Sequence, residues 1–279
     1  MRISDRRASP YLVILLTSLF FSGSVLAETE LRFGIYATDL ASTLVKKFKP
    51  LLKHVEARMS ENLGEPVKIK LVISKTYELG LDSLLNGDVD FARFGPASYV
   101  YAKAKIPELS ILALEANKGK KVFHGIICVK SDSDIQSLQQ LKGRSFAFGN
   151  VGSTIGRYLS QQELAKAGIK ASDLSEFSYL GRHDTVGLAV AAGKFDAGAL
   201  KESTFNKLLK EGKAIRSISK FDNVTKPWIA SAMLSNRIKL ALKKSLLETN
   251  IKKFHFVEGD DSDYLSIRTA INNNGVFFN

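Results

Sequence analysis

The residues best suited to chemistry in this chain lie in Ser145-Phe146-Ala147-Phe148-Gly149-Asn150-Val151-Gly152-Ser153-Thr154-Ile155-Gly156. An apolar run that reads as a strand stops at Gly149. A loop of small and polar residues follows. Ile155, Tyr158, Leu159, Leu164 and Ala165 then fall at roughly helical spacing until Gly168. A strand that feeds a helix through such a turn leaves the first helical N–H groups unpaired. Those donors, the backbone near Gly152, the Ser153 and Thr154 hydroxyls and the positive end of the helix dipole make a seat for an anion. A plain helix cap uses the same residue types, because Ser and Thr are favoured N-caps. The segment alone leaves both readings open.

Other chemistries find no pattern. The one cysteine, Cys128, sits in the apolar run Gly125-Ile126-Ile127-Cys128-Val129 with no basic neighbour to form a thiolate, so it reads as a buried structural thiol. His54, His124 and His255 are isolated, and no His/Cys/Asp/Glu spacing suggests a metal site. Asp260-Asp261-Ser262-Asp263 lacks the Gly and distal Glu of a calcium loop. Neither a nucleophile elbow, a Walker loop nor a Rossmann glycine set is present. The expectation is a binding protein, not an enzyme, with no cofactor and no metal.

Composition sets the context. The chain has 279 residues and a formal charge of +12. Arg2, Arg6 and Arg7 precede an apolar stretch from Tyr11 to Phe21 and then Val25-Leu26-Ala27, the order of a secretory signal peptide cut after Ala27. Its removal takes away three Arg and one Asp and leaves +10. The apolar run is short of the ~20 residues a membrane span needs. The expected product is an exported protein of the periplasm. The lysines are scattered as pairs without interleaved aromatics, which argues against nucleic acid and for a diffuse field that steers small anions inward.

From Glu28 onward, strand-like and helix-like segments alternate. Strands are expected at Leu31–Tyr36, Val67–Ile73, Val89–Phe94, Leu109–Leu114, Val122–Val129, 177–180, 195–199 and 215–219. Helices are expected at Ala41–Leu63, Tyr77–Asn86, Ala97–Lys105, 154–167, 184–193 and 203–210. This alternation predicts an α/β fold with mostly parallel sheets. Two such runs suggest two lobes: residues 28–125 with 225–279, and residues 126–224. Two extended segments, Val122–Val129 and Trp228–Leu234, would carry the chain across and back as a hinge.

Several segments in order resemble one family. Asn86-Gly87-Asp88-Val89-Asp90-Phe91-Ala92-Arg93-Phe94-Gly95-Pro96-Ala97-Ser98-Tyr99-Val100, the Asn150–Gly156 loop, Arg182-His183-Asp184 with Ala189–Ala197, and Asp261-Ser262-Asp263-Tyr264 with Arg268 are similar to blocks of the periplasmic phosphonate/phosphite/phosphate-binding proteins of ABC transporters. The resemblance implies a venus-flytrap fold of the type 2 periplasmic binding proteins, with a small anion held between the lobes. It also implies a monomer that serves a membrane permease or, alternatively, a sensor kinase. It carries cleft roles to Tyr77, Tyr99, Ser153, Thr154 and His183. Each has a structural alternative: Tyr77 and Tyr99 as core aromatics, His183 as a helix cap. Tyr36 ends the first strand, where ligands sit in open α/β sheets, or it packs.

The chain departs from the pattern in places. Ile155 stands where phosphonate binders often carry a third hydroxyl. Lys201-Glu202 lies near the acidic residues that hold an aminoalkyl ammonium, which makes Glu202 a candidate, and Lys226-Pro227-Trp228 replaces an acidic residue before the return strand. Arg93 either reaches the anion as a bidentate donor or packs at the surface.

Overall fold

A computed structural model describes residues 28–38, 40–117, 119–251 and 254–279. The expected signal peptide, residues 1–27, lies outside the described residues. In chain order the first part holds β1 (Thr29–Tyr36), α1 (Ala41–Leu63), β2 (Val67–Ser74), α2 (Tyr77–Leu85), β3 (Phe91–Arg93), α3 (Pro96–Lys105) and β4 (Ser110–Glu115). Next come β5 (Val122–Lys130), β6 (Ser145–Phe148), a π-helical turn over Thr154–Leu159 running into α4 (Ser160–Lys166), β7 (Glu176–Tyr179), α5 (His183–Ala191), β8 (Ala197–Lys201), α6 (Glu202–Lys210) and β9 (Ile215–Val224). The chain closes with β10 (Pro227–Ala230), α7 (Asn236–Leu247), β11 (Asn250–Ile251), β12 (Phe254–Val257), α8 (Leu265–Asn272) and α9 (Gly275–Phe278).

The described strands form two sheets, in the orders β11-β12-β4-β10-β3-β1-β2 and β7-β6-β8-β5-β9. Both are mixed. Parallel pairing joins β1 to β2 and β3, and β6 to β7 and β8. β5, β9, β10 and β12 pair antiparallel. The expectation of mostly parallel sheets is corrected here, because a chain that crosses between sheets re-enters each one from the opposite direction. β9 also runs five residues past its expected end, pairing with β5 as far as Val122↔Val224.

Two crossings lie side by side between the sheets. One leads from β4 to β5 and the other from β9 to β10. Thr225 N donates to Lys121 O at 2.9 Å and Glu115 N to Lys226 O at 3.1 Å. Backbone hydrogen bonds thus tie the two crossings to each other.

The core explains why these elements stay put. α1 buries Leu44, Phe48, Leu51, Leu52, Val55 and Met59 as one stripe and ends on Gly64 in the left-handed conformation. That stripe packs on Phe33, Phe91 and Trp228, with the Phe33 and Trp228 rings stacked at 4.4 Å. A second cluster runs from Tyr36, Phe94 and Tyr99 through Ile155 to Phe148 and Phe277, so apolar contact spans the cleft. The last helix does not stay with the first sheet. Phe277 sits edge-on to Phe148 and Phe177 of the second sheet, and Asn274 donates to Gln161 at 2.7 Å. No helix among the described residues is long and apolar enough to cross a membrane.

Candidate functional site

The parallel strands end at one place. Tyr36 closes β1, Gly95 follows β3, Gly149 follows β6 and Lys201 closes β8. α2, α3, the π turn and α5 all begin there. Open α/β sheets place ligands beyond their strand carboxyl ends, because helix N-termini converge on the same spot.

The Asn150–Gly156 loop owes its shape to a close backbone approach. Gly149 N donates to Gly156 O at 2.8 Å, and a Cβ on Gly156 would lie 2.8 Å from Gly149 Cα. Only glycine allows that contact. Ser153 then caps the turn, its Oγ accepting from Gly156 N at 2.9 Å. Tyr158 N reaches back to Ser153 O at 3.4 Å, the long i+5 bond of a π turn, where an α-helix was expected from residue 154. The cap and the anion seat are therefore compatible: an accepting hydroxyl still has its own proton to give.

Thr154 faces the other lobe. Its Oγ1 accepts from Ala97 N at 2.9 Å, in the first turn of α3. The N-termini of α3 and the π turn thus oppose each other across the cleft, and two positive dipole ends meet. Tyr36 completes this junction. Its hydroxyl accepts from Gly95 N and pairs with Ser98 Oγ at 3.1 Å, while its ring stacks on Tyr77 at 3.9 Å. Burial raises the Tyr36 phenol above its usual value, so it stays protonated. Tyr77 in turn lies over Gly152, where a Cβ would meet the ring at 3.2 Å.

Tyr36, Thr38, Tyr77, Ser153, Thr154, Ile155, His183, Phe123, Lys201, Asn223 and Lys226, with Gly95 and Pro96, line the cavity between the lobes. Its free volume is ≈ 20 Å³, little more than a single water requires. Among the described residues, no Asp or Glu lines it. Lys201 and Lys226 give the cavity a positive sign. The buried Lys226 ammonium is pushed well below its ordinary value, first by burial and then by the like charges of Arg93 and Lys201.

His183 begins α5. Its Nδ1 is buried and meets no partner among the described residues. Burial, with Lys201 and Lys226 adding to it, lowers the imidazole to about 3, so it is neutral at pH 7 and can donate from one nitrogen. The folded value lies below the unfolded one. The unfolded chain therefore holds more protons between about pH 6.5 and 3, and stability falls as pH falls through that window. Melting of the ligand-free protein is expected to drop between pH 6.5 and 5, and His183→Gln is expected to flatten that slope. A slope unchanged by the substitution would assign it to other groups.

Four candidates from the sequence are not brought to the cavity lining; the first, Gly152, lies beneath the Tyr77 ring. Tyr99 is 1% exposed; its hydroxyl donates to Asp261 Oδ1 at 2.8 Å and its ring packs on Tyr264. It occupies the face of α3 turned toward α8, away from the cleft. Arg93 makes a bidentate pair with Glu115, with Nη2 to Oε2 at 2.8 Å, and lies over the Phe48 ring. Register accounts for this, since β10 brings Arg93 of β3 and β4 together through Trp228. Glu202 accepts from Lys220 at 2.7 Å and pairs with His124 at 2.9 Å outside the cavity. The adjacent Lys201 lines the site instead.

The Arg93–Glu115 pair carries a stability consequence. The carboxyl is buried, which would raise it, yet the guanidinium holds it down at about 2. Arg93→Ala leaves a mostly buried carboxylate without its guanidinium, with Trp228 Nε1 still donating at 3.3 Å, at a cost of about 3 kcal/mol. Denaturant melts are expected to show that loss, and Glu115→Gln in the same chain is expected to recover most of it. An Arg93→Ala chain as stable as the parent would refute this assignment.

Sequence reasoning missed Lys201, Asn223, Lys226, Thr38 and Phe123 as lining residues. Lys226 was visible only as a departure from a pattern. Asn223 gives no sequence signal, yet its Oδ1 is buried with no partner among the described residues. Cys128 is fully buried, and burial pushes its thiol up to about 12. No group of three or more His, Cys, Asp or Glu among the described residues is placed to hold a metal.

Comparison with known proteins adds the context. Residues 33–264 match the family model described as ABC transporter, phosphonate, periplasmic substrate-binding protein. The chain is 27% identical over 254 residues to "Probable ABC transporter phosphite binding protein PhnD1" of Prochlorococcus marinus, covering 86% of this chain and 84% of that protein. It is 26% identical over 241 residues to "Phosphate-import protein PhnD" of Mycolicibacterium smegmatis, covering 79% and 73%. The solved structure of the Prochlorococcus PhnD1 in complex with methylphosphonate superimposes with a TM-score of 0.75 at 23% identity, over 89% of this chain and 99% of that one.

Proposed function

The chain belongs to the periplasmic substrate-binding family of ABC phosphonate transporters, and from that premise we propose that it captures a small phosphorus oxyanion in the cavity between its two sheets and presents it to a membrane permease. The observation that carries this reading is the meeting of two helix N-termini in a cavity lined by Lys201 and Lys226 and, among the described residues, by no carboxylate. Phosphate, phosphite and methylphosphonate are the first candidates, being the ligands named for the relatives.

Ser153 and Thr154 hydroxyls, the neutral His183 and the two lysines donate to the anion's oxygens. Binding is the whole of the mechanism, without turnover. The anion docks on the Ser153–Thr154 turn while the cleft is open. Tyr36 and Tyr77 then come over it from the other lobe as the crossings flex. Contacts from both lobes exist only in the closed form, so ligand shifts the population toward it. Residues 1–27 are read as the export signal that delivers the protein to the periplasm.

A thermal-shift screen tests the proposal with phosphate, phosphite, methylphosphonate, aminoethylphosphonate, sulfate and acetate. A ligand at 100 times its Kd adds about 2.7 kcal/mol, a rise of roughly 5–10 °C for a chain of this size. At least one phosphorus oxyanion is expected to give that rise and acetate none. Indifference to every phosphorus oxyanion would end the proposal.

A further inference from the structure

We propose that the ligand of this cleft carries a second acidic group on its substituent, seated in an adjoining cavity against Thr225, Ser203, Lys47 and Arg93. The inference rests on the anion reading above and narrows its ligand class. The second cavity has a volume of ≈ 190 Å³ and shares Phe123, Lys201 and Lys226 with the first. The anion seat itself encloses only ≈ 20 Å³, so a substituent has to leave it. The shared residues mark a side on which it meets further space.

The chemistry of that space is cationic. Lys47, Arg93, Lys201 and Lys226 line it, and Glu115 is the one carboxylate among the described lining residues. Glu115 already accepts from Nε and Nη2 of Arg93. An ammonium-bearing substituent would meet like charge there; a carboxylate would meet donors.

Thr225 supplies an independent observation. It is 4% exposed, lines this cavity, and its Oγ1 has no partner among the described residues. Its backbone is fixed, with N donating to Lys121 O at 2.9 Å and O accepting from Tyr264 Oη at 2.8 Å. A buried hydroxyl without a partner is uncommon and calls for an explanation. A ligand carboxylate accepting from it provides one.

Calorimetry with phosphonoacetate, ethylphosphonate and 2-aminoethylphosphonate separates the cases. Phosphonoacetate is expected to bind about tenfold or more tighter than ethylphosphonate, the scale of one added hydrogen bond to a charged group, and 2-aminoethylphosphonate to bind weakest. Thr225→Val keeps the shape and removes a hydroxyl that holds nothing in the fold. It is expected to lower phosphonoacetate affinity about fivefold or more while leaving ethylphosphonate unchanged, and Lys47→Gln to act the same way. Equal affinity for the three phosphonates, a preference for the ammonium compound, or Thr225→Val without effect on phosphonoacetate would overturn the inference while the anion reading stands. Silence toward all three and toward phosphate would overturn the anion reading itself.

Discussion

Ser153→Ala together with Thr154→Ala is expected to remove measurable anion binding. Each hydroxyl donating to a charged oxygen is worth about 1.5–3 kcal/mol, so losing both lowers affinity by roughly 10²–10⁴-fold. The fold is expected to lose less. Ser153 Oγ holds Gly156 N, and an N-cap Ser changed to Ala costs about 1 kcal/mol. Thr154 Oγ1 accepts from Ala97 N, a single bond between the two helix N-termini. Calorimetry and a ligand-free melt distinguish the two roles open for these residues. A plain cap predicts a lower melting temperature with affinity intact. An anion seat predicts affinity gone with a melting temperature only slightly lower. The first pattern would sink the assignment.

The sequence carries the elements better than the site, and the reasons are physical. α1 matches its expected range, Ala41–Leu63, because its apolar stripe has one helical period and Gly64 stops it. The turn after β6 is legible because Gly, Asn, Ser and Thr after an apolar run mark a loop that opens a helix. Its π turn is not, because it depends on Gly149 and Gly156 touching, a tertiary contact with no periodicity. Tyr99 shows the limit for helices. The family resemblance gives Tyr99 a cleft role, with a core aromatic as the alternative, but its face depends on where the segment from Asp261 into α8 packs, more than 160 residues later in the chain. Glu202 shows the limit for strands. Side chains alternate direction along a strand, so a one-residue uncertainty at the end of β8 exchanges the outward Glu202 for the inward Lys201. Arg93 finds Glu115 through strand register, which the local sequence around neither residue encodes.

The charge pattern ties site and hinge together. Lys226 lies in the crossing from β9 to β10, where its carbonyl accepts from Glu115 N, and its side chain lines the cavity. The group that the anion would neutralise is thus part of the segment that must flex. On the proposed function, ligand charge and hinge geometry would be linked through this one residue.

Lys226→Met is therefore expected to move stability and affinity in opposite directions. In the ligand-free protein the ammonium is opposed by burial and by Arg93 and Lys201. Its folded value lies below the unfolded one, so the unfolded chain binds more protons in the interval between them. Stability then rises as pH rises through that interval and is lowest below it. Met keeps the stem's volume and contacts while removing the charge, so the ligand-free variant is expected to melt higher at neutral pH, with a flatter pH profile. Affinity for the oxyanion is expected to fall by about 30- to 1000-fold, the usual consequence of truncating one partner of a buried charge pair. The parent protein has a further signature. An anion beside Lys226 raises its affinity for a proton, so binding at a pH between the ligand-free and ligand-bound values draws protons from solution, and the apparent heat of binding there depends on the ionisation enthalpy of the buffer. That dependence is expected to shrink in Lys226→Met. A variant that melts lower and binds as tightly as the parent would show that Lys226 braces the hinge and takes no part in holding the anion.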